Sequence, residues 1–145
     1  MKGIFAVTCL CALAINTTLA GEPRVIRLDE ASEPLTQAAV YVRGRALVES
    51  RKEAQTYTYQ WPGVYFETAF EATRAYFTLG PGEVILQVIV DGQTIDSLEK
   101  PSAGLYRVDA LADSAHILRV EVSSESQARA NSFVGFALPA LARHL

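Results

Sequence analysis

Asp113-Ser114-Ala115-His116 is the one place in the chain where an acid, a hydroxyl and an imidazole fall within four residues. A D-x-x-H spacing can set a carboxylate beside an imidazole, fix its tautomer and stabilise its charged form, so that the ring can draw a proton from a serine nucleophile. The nucleophile is the missing part. No serine of the chain stands in a G-D-S or G-x-S-x-G setting, where a strained turn would expose its hydroxyl. His116 is therefore expected to open a strand after a tight turn and to hydrogen-bond a loop backbone, and no residue is assigned a catalytic role.

Metal chemistry finds even less support. The only cysteines, Cys9 and Cys11, precede residue 21, and the second histidine, His144, is next to the last residue. Asp91, Asp96, Asp109 and Asp113 are spread over separate turns, and no run resembles a calcium loop. No metal and no cofactor is expected.

The aromatic residues are the better candidates for binding. Trp61, the single tryptophan, has Tyr57, Tyr59 and Tyr65 close by in sequence. Rigid aromatic rings can stack on the apolar C–H faces of sugars at little entropic cost, so Trp61, Tyr59 and Tyr65 are the carbohydrate-binding candidates. The competing reading is that Trp61 fills the core or plugs the sandwich rim beside Pro62.

The elements that must position these residues are strands. From Val40 onward apolar residues fall in short runs divided by turn signals, and no long segment keeps a 3.6-residue period. Strands are expected over Ala39 to Glu49, over Glu53 to Trp61 with Tyr57, Tyr59 and Trp61 on one face, and over Val64 to Phe70. Others are expected over Arg74 to Leu79, over Val84 to Val90 with its hairpin partner, and over Gly104 to Leu111, Ala115 to Ser124 and Ser132 to Leu138. Asp91-Gly92 is a two-residue hairpin signal because both positions need positive φ. Gly21 to Gln37 supplies a leading edge strand, Arg24 to Leu28, and a loop. The sum is an all-β, jelly-roll-like β-sandwich of about eight or nine strands.

The first twenty residues join a basic start at Lys2, an apolar stretch from Ile4 to Ile15 and a small-residue exit at Ala20, the pattern of a secretory signal peptide cut before Gly21. That apolar stretch is well short of the roughly 20 residues of a membrane span. The product would be secreted or periplasmic, with no membrane segment and no cysteine. It would hold one domain, residues 21–138, with 139–145 as the start of a linker or tail. Without Lys2 it has 12 basic and 16 acidic residues, a formal charge of −4, scattered with no basic stripe to follow a phosphate backbone, so nucleic acid is not an expected partner.

Several short motifs, taken in order, resemble one family. They are Gly44-Arg45, Trp61-Pro62-Gly63, Phe70-Glu71-Ala72-Thr73, the Val90-Asp91-Gly92 turn, the His116 strand leading to Glu125, and Phe133-Val134-Gly135-Phe136. Their order is similar to that of the N-terminal jelly-roll domain of carbohydrate esterase family 2, over about Tyr41 to Leu138. Ala72 stands where that pattern usually has glycine, Val122 near a position that is often basic, and Ser124-Glu125 where it has Thr-Glu. The resemblance implies acetyl-xylan-type esterases in which the jelly roll comes first and a GDS-type SGNH hydrolase domain follows. Their catalytic serine and D-x-x-H histidine belong to that second domain, so the role does not transfer to Asp113 or His116.

On this resemblance the chain is expected to be a non-catalytic accessory domain, a truncated or partial form of a secreted esterase. Its partners would be the SGNH domain and plant cell-wall polysaccharide. A free-standing glycan-binding module is the alternative. An accessory domain of this kind would also expose an apolar face.

Overall fold

Alternation of buried and exposed residues along Tyr65–Glu71 sets the plan of the molecule: Phe66, Thr68 and Phe70 point into the core while Tyr65, Glu67, Ala69 and Glu71 face outward. The computed structural model describes residues 21–52, 54–127 and 131–145; the expected signal peptide lies outside the described residues. All of the regular elements described are strands. In chain order they are β1 (Arg24–Leu28), β2 (Leu35–Ala38), β3 (Tyr41–Arg43), β4 (Ala46–Arg51), β5 (Ala54–Tyr59), β6 (Tyr65–Glu71) and β7 (Ala75–Leu79). They continue with β8 (Ile85–Val90), β9 (Gln93–Glu99), β10 (Gly104–Asp109), β11 (Ala115–Val122), β12 (Ser132–Pro139) and β13 (Arg143–His144).

Two antiparallel sheets form the sandwich. One has the order β1-β10-β7-β12-β5-β4 with β2 also paired to β12, and the other has the order β13-β6-β11-β8-β9 with β3 also paired to β6. Their inner faces meet in an aromatic core. Phe66 stacks on Phe133 at 4.3 Å between ring centroids and takes Tyr57 and Tyr59 at 5.5 Å each, while Phe77 stacks on Tyr106 at 5.2 Å.

The all-β sandwich holds, with thirteen strands among the described residues rather than about eight or nine. The expected strand from Ala39 to Glu49 is two strands in different sheets: β3 pairs with β6 and β4 with β5. Gly44 makes the corner, at a φ of 96° where a Cβ would lie 3.0 Å from the Cα of Val64. β2 arises largely within the stretch to Gln37 where a loop is expected, and its four residues carry no alternation longer than one period. Within 139–145, expected as the start of a linker or a tail, β13 pairs with β6, with Arg143 opposite Glu71 and His144 opposite Phe70. The Leu145 amide adds a bond to the Ala69 carbonyl at 3.2 Å.

Candidate functional site

The strand registers divide the sandwich into two ends. β6 runs from Tyr65 to Glu71, and the antiparallel β11 sets Glu121 against Tyr65 and Ala115 against Glu71. Asp91, His116 and β13 therefore gather at one end. Gln60, Trp61, Gly44, Arg45 and Glu125 gather at the other.

At the first end, His116 is brought to Asp91 by the hairpin between β8 and β9. Asp91 and Gly92 both take positive φ, at 51° and 82°, as the two-residue turn requires. Nδ1 of His116 lies 2.7 Å from Asp91 Oδ2 and Nε2 lies 2.7 Å from the Ala112 carbonyl oxygen. The other Asp91 oxygen accepts the Ile117 amide at 2.8 Å. Asp113, the acid of the four-residue pattern, is not the partner. Ser114 Oγ sits 3.4 Å from Nε2, so a serine, a histidine and an aspartate do line up. Carboxylate and carbonyl can only accept, however, so the arrangement is best satisfied when both ring nitrogens donate. Such a ring has no lone pair left to take a proton from Ser114.

The protonation equilibria follow from this geometry. Burial of the ring, 8% exposed, opposes its charge, but the bonds to Asp91 and the Ala112 carbonyl outweigh that and hold its pKa above the ordinary 6.5. Burial likewise works to raise the Asp91 carboxyl, yet the bonds from His116 and the Ile117 amide hold it below its ordinary value. This histidine, expected to bond loop backbone, does so, and it adds an ion pair that no local spacing announced.

The three aromatic candidates are not brought together. β5 ends at Tyr59, so the shared face expected for Tyr57, Tyr59 and Trp61 breaks at Gln60. Tyr59 is 3% exposed, packed on Phe66, and burial raises its hydroxyl pKa. It has no ring face to offer a sugar, which corrects its place among the candidates. Tyr65 lies on the outer face of the six-stranded sheet with the Arg119 guanidinium 4.0 Å from its ring centroid. Arg119 is itself held by Glu67 at 2.8 Å and by Glu121 at 3.6 Å. Trp61 alone is open, 49% exposed in the turn between β5 and β6.

Trp61 also walls two hollows. One, of about 340 Å³, is lined by Gly44, Arg45, Trp61, Pro62, Gly63 and Val64. The second, of about 210 Å³, is lined by Gln60, Trp61, Glu125, Ser126 and Gln127. The larger is within the roughly 300–1,000 Å³ usual for small-ligand sites. A wider hollow, about 390 Å³, opens where β12 exchanges β5 for β2 as its neighbour, lined in part by Gln37, Ser50, Lys52 and Gln55.

Two polar constellations escaped the sequence reading. Glu33 receives both Nε and a terminal nitrogen of Arg74, at 2.6 and 2.9 Å, and the Tyr76 hydroxyl as well. These donors, Arg74 first, hold its carboxyl below the usual range. The buried Asn131 accepts the Glu83 amide at 2.7 Å through its side chain and the Tyr59 amide at 3.0 Å through its carbonyl. Neither could be found from spacing, since the partners are 41 and 48 residues apart. Among the described residues no group of three or more His, Cys, Asp and Glu could hold a metal ion, and no helix is long and apolar enough to cross a membrane.

Residues 42–145 match the family model described as carbohydrate esterase 2 N-terminal. The chain is 37% identical over 98 residues to an acetylxylan esterase / glucomannan deacetylase of Cellvibrio japonicus, an alignment that takes in 67% of this chain and 27% of that protein. Among solved structures it is similar to a carbohydrate esterase whose active site displays divergent catalytic and non-catalytic binding functions, with a TM-score of 0.65, 32% identity and coverage of 76% of this chain and 32% of that one. It is also similar to a family two carbohydrate esterase of Clostridium thermocellum in complex with cellohexaose, with a TM-score of 0.58, 25% identity and coverage of 74% and 33%. The chain thus spans about a quarter of the curated relative and about a third of these solved chains.

Proposed function

Because the chain belongs to the N-terminal domain family of carbohydrate esterase 2, we propose that it is the non-catalytic accessory domain of an exported acetyl-xylan-type esterase, packing against an SGNH hydrolase domain that carries the chemistry. The observation that carries this reading is the family match over residues 42–145. The engaged state of both His116 nitrogens supports the non-catalytic part, because a ring bonded to Asp91 and Ala112 is not free to act as a base.

A surface on the six-stranded sheet supports the packing part. Tyr41 stands opposite Glu67, Ile117 opposite Ala69, and the Leu145 amide bonds the Ala69 carbonyl. Tyr41, Ile117 and Leu145 are all exposed, so large apolar side chains collect around the Ala69 stretch of β6. A second domain lying on this face would cover them.

The purified chain is expected to release no acetate from acetylated xylan or from nitrophenyl acetate above a heat-treated control. Turnover that disappears in His116→Ala would overturn the non-catalytic reading. The chain is also expected to raise the stability or activity of an esterase domain of this family supplied in trans, and Ile117→Asp to abolish that gain. An unchanged esterase would count against the packing. For export, the mass of the product recovered outside the cytoplasm should correspond to a start at Gly21. A second reading, a glycan-binding module, is favoured by one observation, the open indole of Trp61.

A further inference from the structure

We propose that the Trp61 end of the sandwich is a binding platform for a pyranose oligosaccharide, with the indole as the stacking surface and Arg45, Gln60 and Glu125 as the hydrogen-bonding groups in the hollows beside it. This rests on the proposed role of the domain in so far as that role makes polysaccharide the molecule it meets. The geometry is local to this end.

Three observations carry it. First, Trp61 belongs to both hollows, and they share no other wall residue, so indole surface borders each of them. A sugar ring with equatorial hydroxyls has an apolar C–H face and a polar rim. It therefore fits a flat aromatic surface whose surroundings supply donors and acceptors. Second, those groups are present and uncommitted. Arg45 and Glu125 are exposed, and neither has an ion-pair partner among the described residues; the indole N–H of Trp61 also has no hydrogen-bond acceptor there. Arg45 contributes donors on one side, and Gln60 and Glu125 contribute a planar amide and a carboxylate on the other, suited to neighbouring hydroxyls.

Third, the floor beneath the platform is fixed. Gly63 N donates to the Val122 carbonyl at 2.8 Å, Val122 N to the Val64 carbonyl at 2.8 Å, and Ser126 N to the Gln60 carbonyl at 3.2 Å. These bonds tie the turn that carries Trp61 to the end of β11 and to the loop after it, which carries Glu125. A pre-formed site loses less ordering entropy when it binds. A protein partner is the competing occupant, but docked protein surfaces bury about 800 Å² on each side around an apolar centre. Trp61 is the sole large exposed apolar side chain among the described residues of the turn and loops at this end; Leu47 and Val48 lie further along the β4 edge.

Trp61 is the single tryptophan of the chain, so intrinsic fluorescence reads the platform directly. The test is titration of the purified protein with cellohexaose, xylohexaose and mannohexaose, followed by fluorescence and by calorimetry. Expected is a saturable emission change with at least one of them, with affinity lowered at least tenfold in Trp61→Ala, only a few-fold in Trp61→Phe, and by an intermediate factor in Arg45→Ala and Glu125→Ala. Circular dichroism and melting curves matching wild type establish that the variants fold.

No emission change up to 10 mM sugar, or equal calorimetric affinity in Trp61→Ala, would overturn the platform. So would acrylamide quenching of Trp61 that is lost when an esterase domain of the family is added, because the indole would then face protein. The sugar titrations leave the accessory-domain reading untouched, since its own test is the effect on the esterase; lost quenching would remove the platform and support docking to that domain through this end. Conversely, sugar binding by a chain that leaves every esterase domain of the family unaffected would retain the platform and remove the accessory role.

Discussion

The two ends of the sandwich carry opposite kinds of side chain and use them in opposite ways. The Asp91–His116 end holds residues with the richest chemical repertoire in the chain, and both ring nitrogens of His116 and both carboxylate oxygens of Asp91 are taken up by neighbours. The Trp61 end holds an indole, a guanidinium, an amide and a carboxylate that ordinary turns present to solvent, and they remain open. The difference teaches that residue type alone does not make a site. A histidine with an acid, a carbonyl and a hydroxyl around it is a brace if those groups satisfy it, whereas a lone tryptophan is available where no described residue does so.

The comparison breaks most visibly at His116. His116→Ala removes a buried ring and two bonds that the charged form makes, at a cost of about 2–3 kcal/mol in urea-induced unfolding near pH 5.5. The sign of the pH dependence follows from the shifts. Folding raises the pKa of His116, so its contribution is complete below the ordinary 6.5 and is lost as pH rises through the folded value. Folding lowers that of Asp91, so its contribution is complete above the ordinary 3.8 and is lost as pH falls through the folded value. The brace is tightest between those limits. His116→Gln should flatten the decline on the alkaline side; parallel profiles for the variant and wild type would mean that folding leaves the proton affinity of the ring unchanged.

The next effect probes the open end. Gly44→Ala puts a side chain at a φ of 96° and 3.0 Å from backbone of Val64, for a cost of about 2 kcal/mol. A melting temperature within a degree of wild type would show the corner to be soft and the Trp61 end loose as well as open. Between the two ends lies Thr68 of β6, 1% exposed with a hydroxyl that finds no partner among the described residues. Thr68→Val removes that unmet group at nearly constant shape and should stabilise the chain by about 1 kcal/mol in the same unfolding assay. It should leave the His116 pH profile and the Trp61 emission unchanged, and a shift in either would mean that the ends communicate through β6.

The sequence disclosed what depends on neighbours in the chain and hid what depends on neighbours across it. Alternation in Tyr65–Glu71 and Ala115–Val122 located two central strands and their buried faces, and Asp91-Gly92 announced its turn through backbone demands alone. Gly44 was visible as a residue but not as a corner, because the close approach of Val64 that requires it comes from 20 positions away. The short β2 and β13 are strands only because β12 and β6 offer free edges. At the candidate site, the exposure of Trp61 was undecidable from spacing: the period of two placed it with Tyr57 and Tyr59, and the strand stops two residues before it. His116 gave its type and its strand, while its partner, 25 residues distant, was hidden behind the nearer and uninvolved Asp113.

The smallest expected effect is the most informative about the open end. Trp61→Ala should change folding stability by no more than about 0.5 kcal/mol, since its side chain is half exposed in a turn held to β11 and the loop after it by backbone groups of Gly63, Val64 and Gln60. A core tryptophan truncated in the same way costs about 3–5 kcal/mol. The two readings of Trp61, rim plug and free platform, therefore differ by several kcal/mol in one equilibrium measurement, before any ligand is added. A loss above about 2 kcal/mol would make Trp61 a structural plug and the two ends alike in kind. A negligible loss would free the indole of any folding role, which is the condition that the platform requires and the plug forbids.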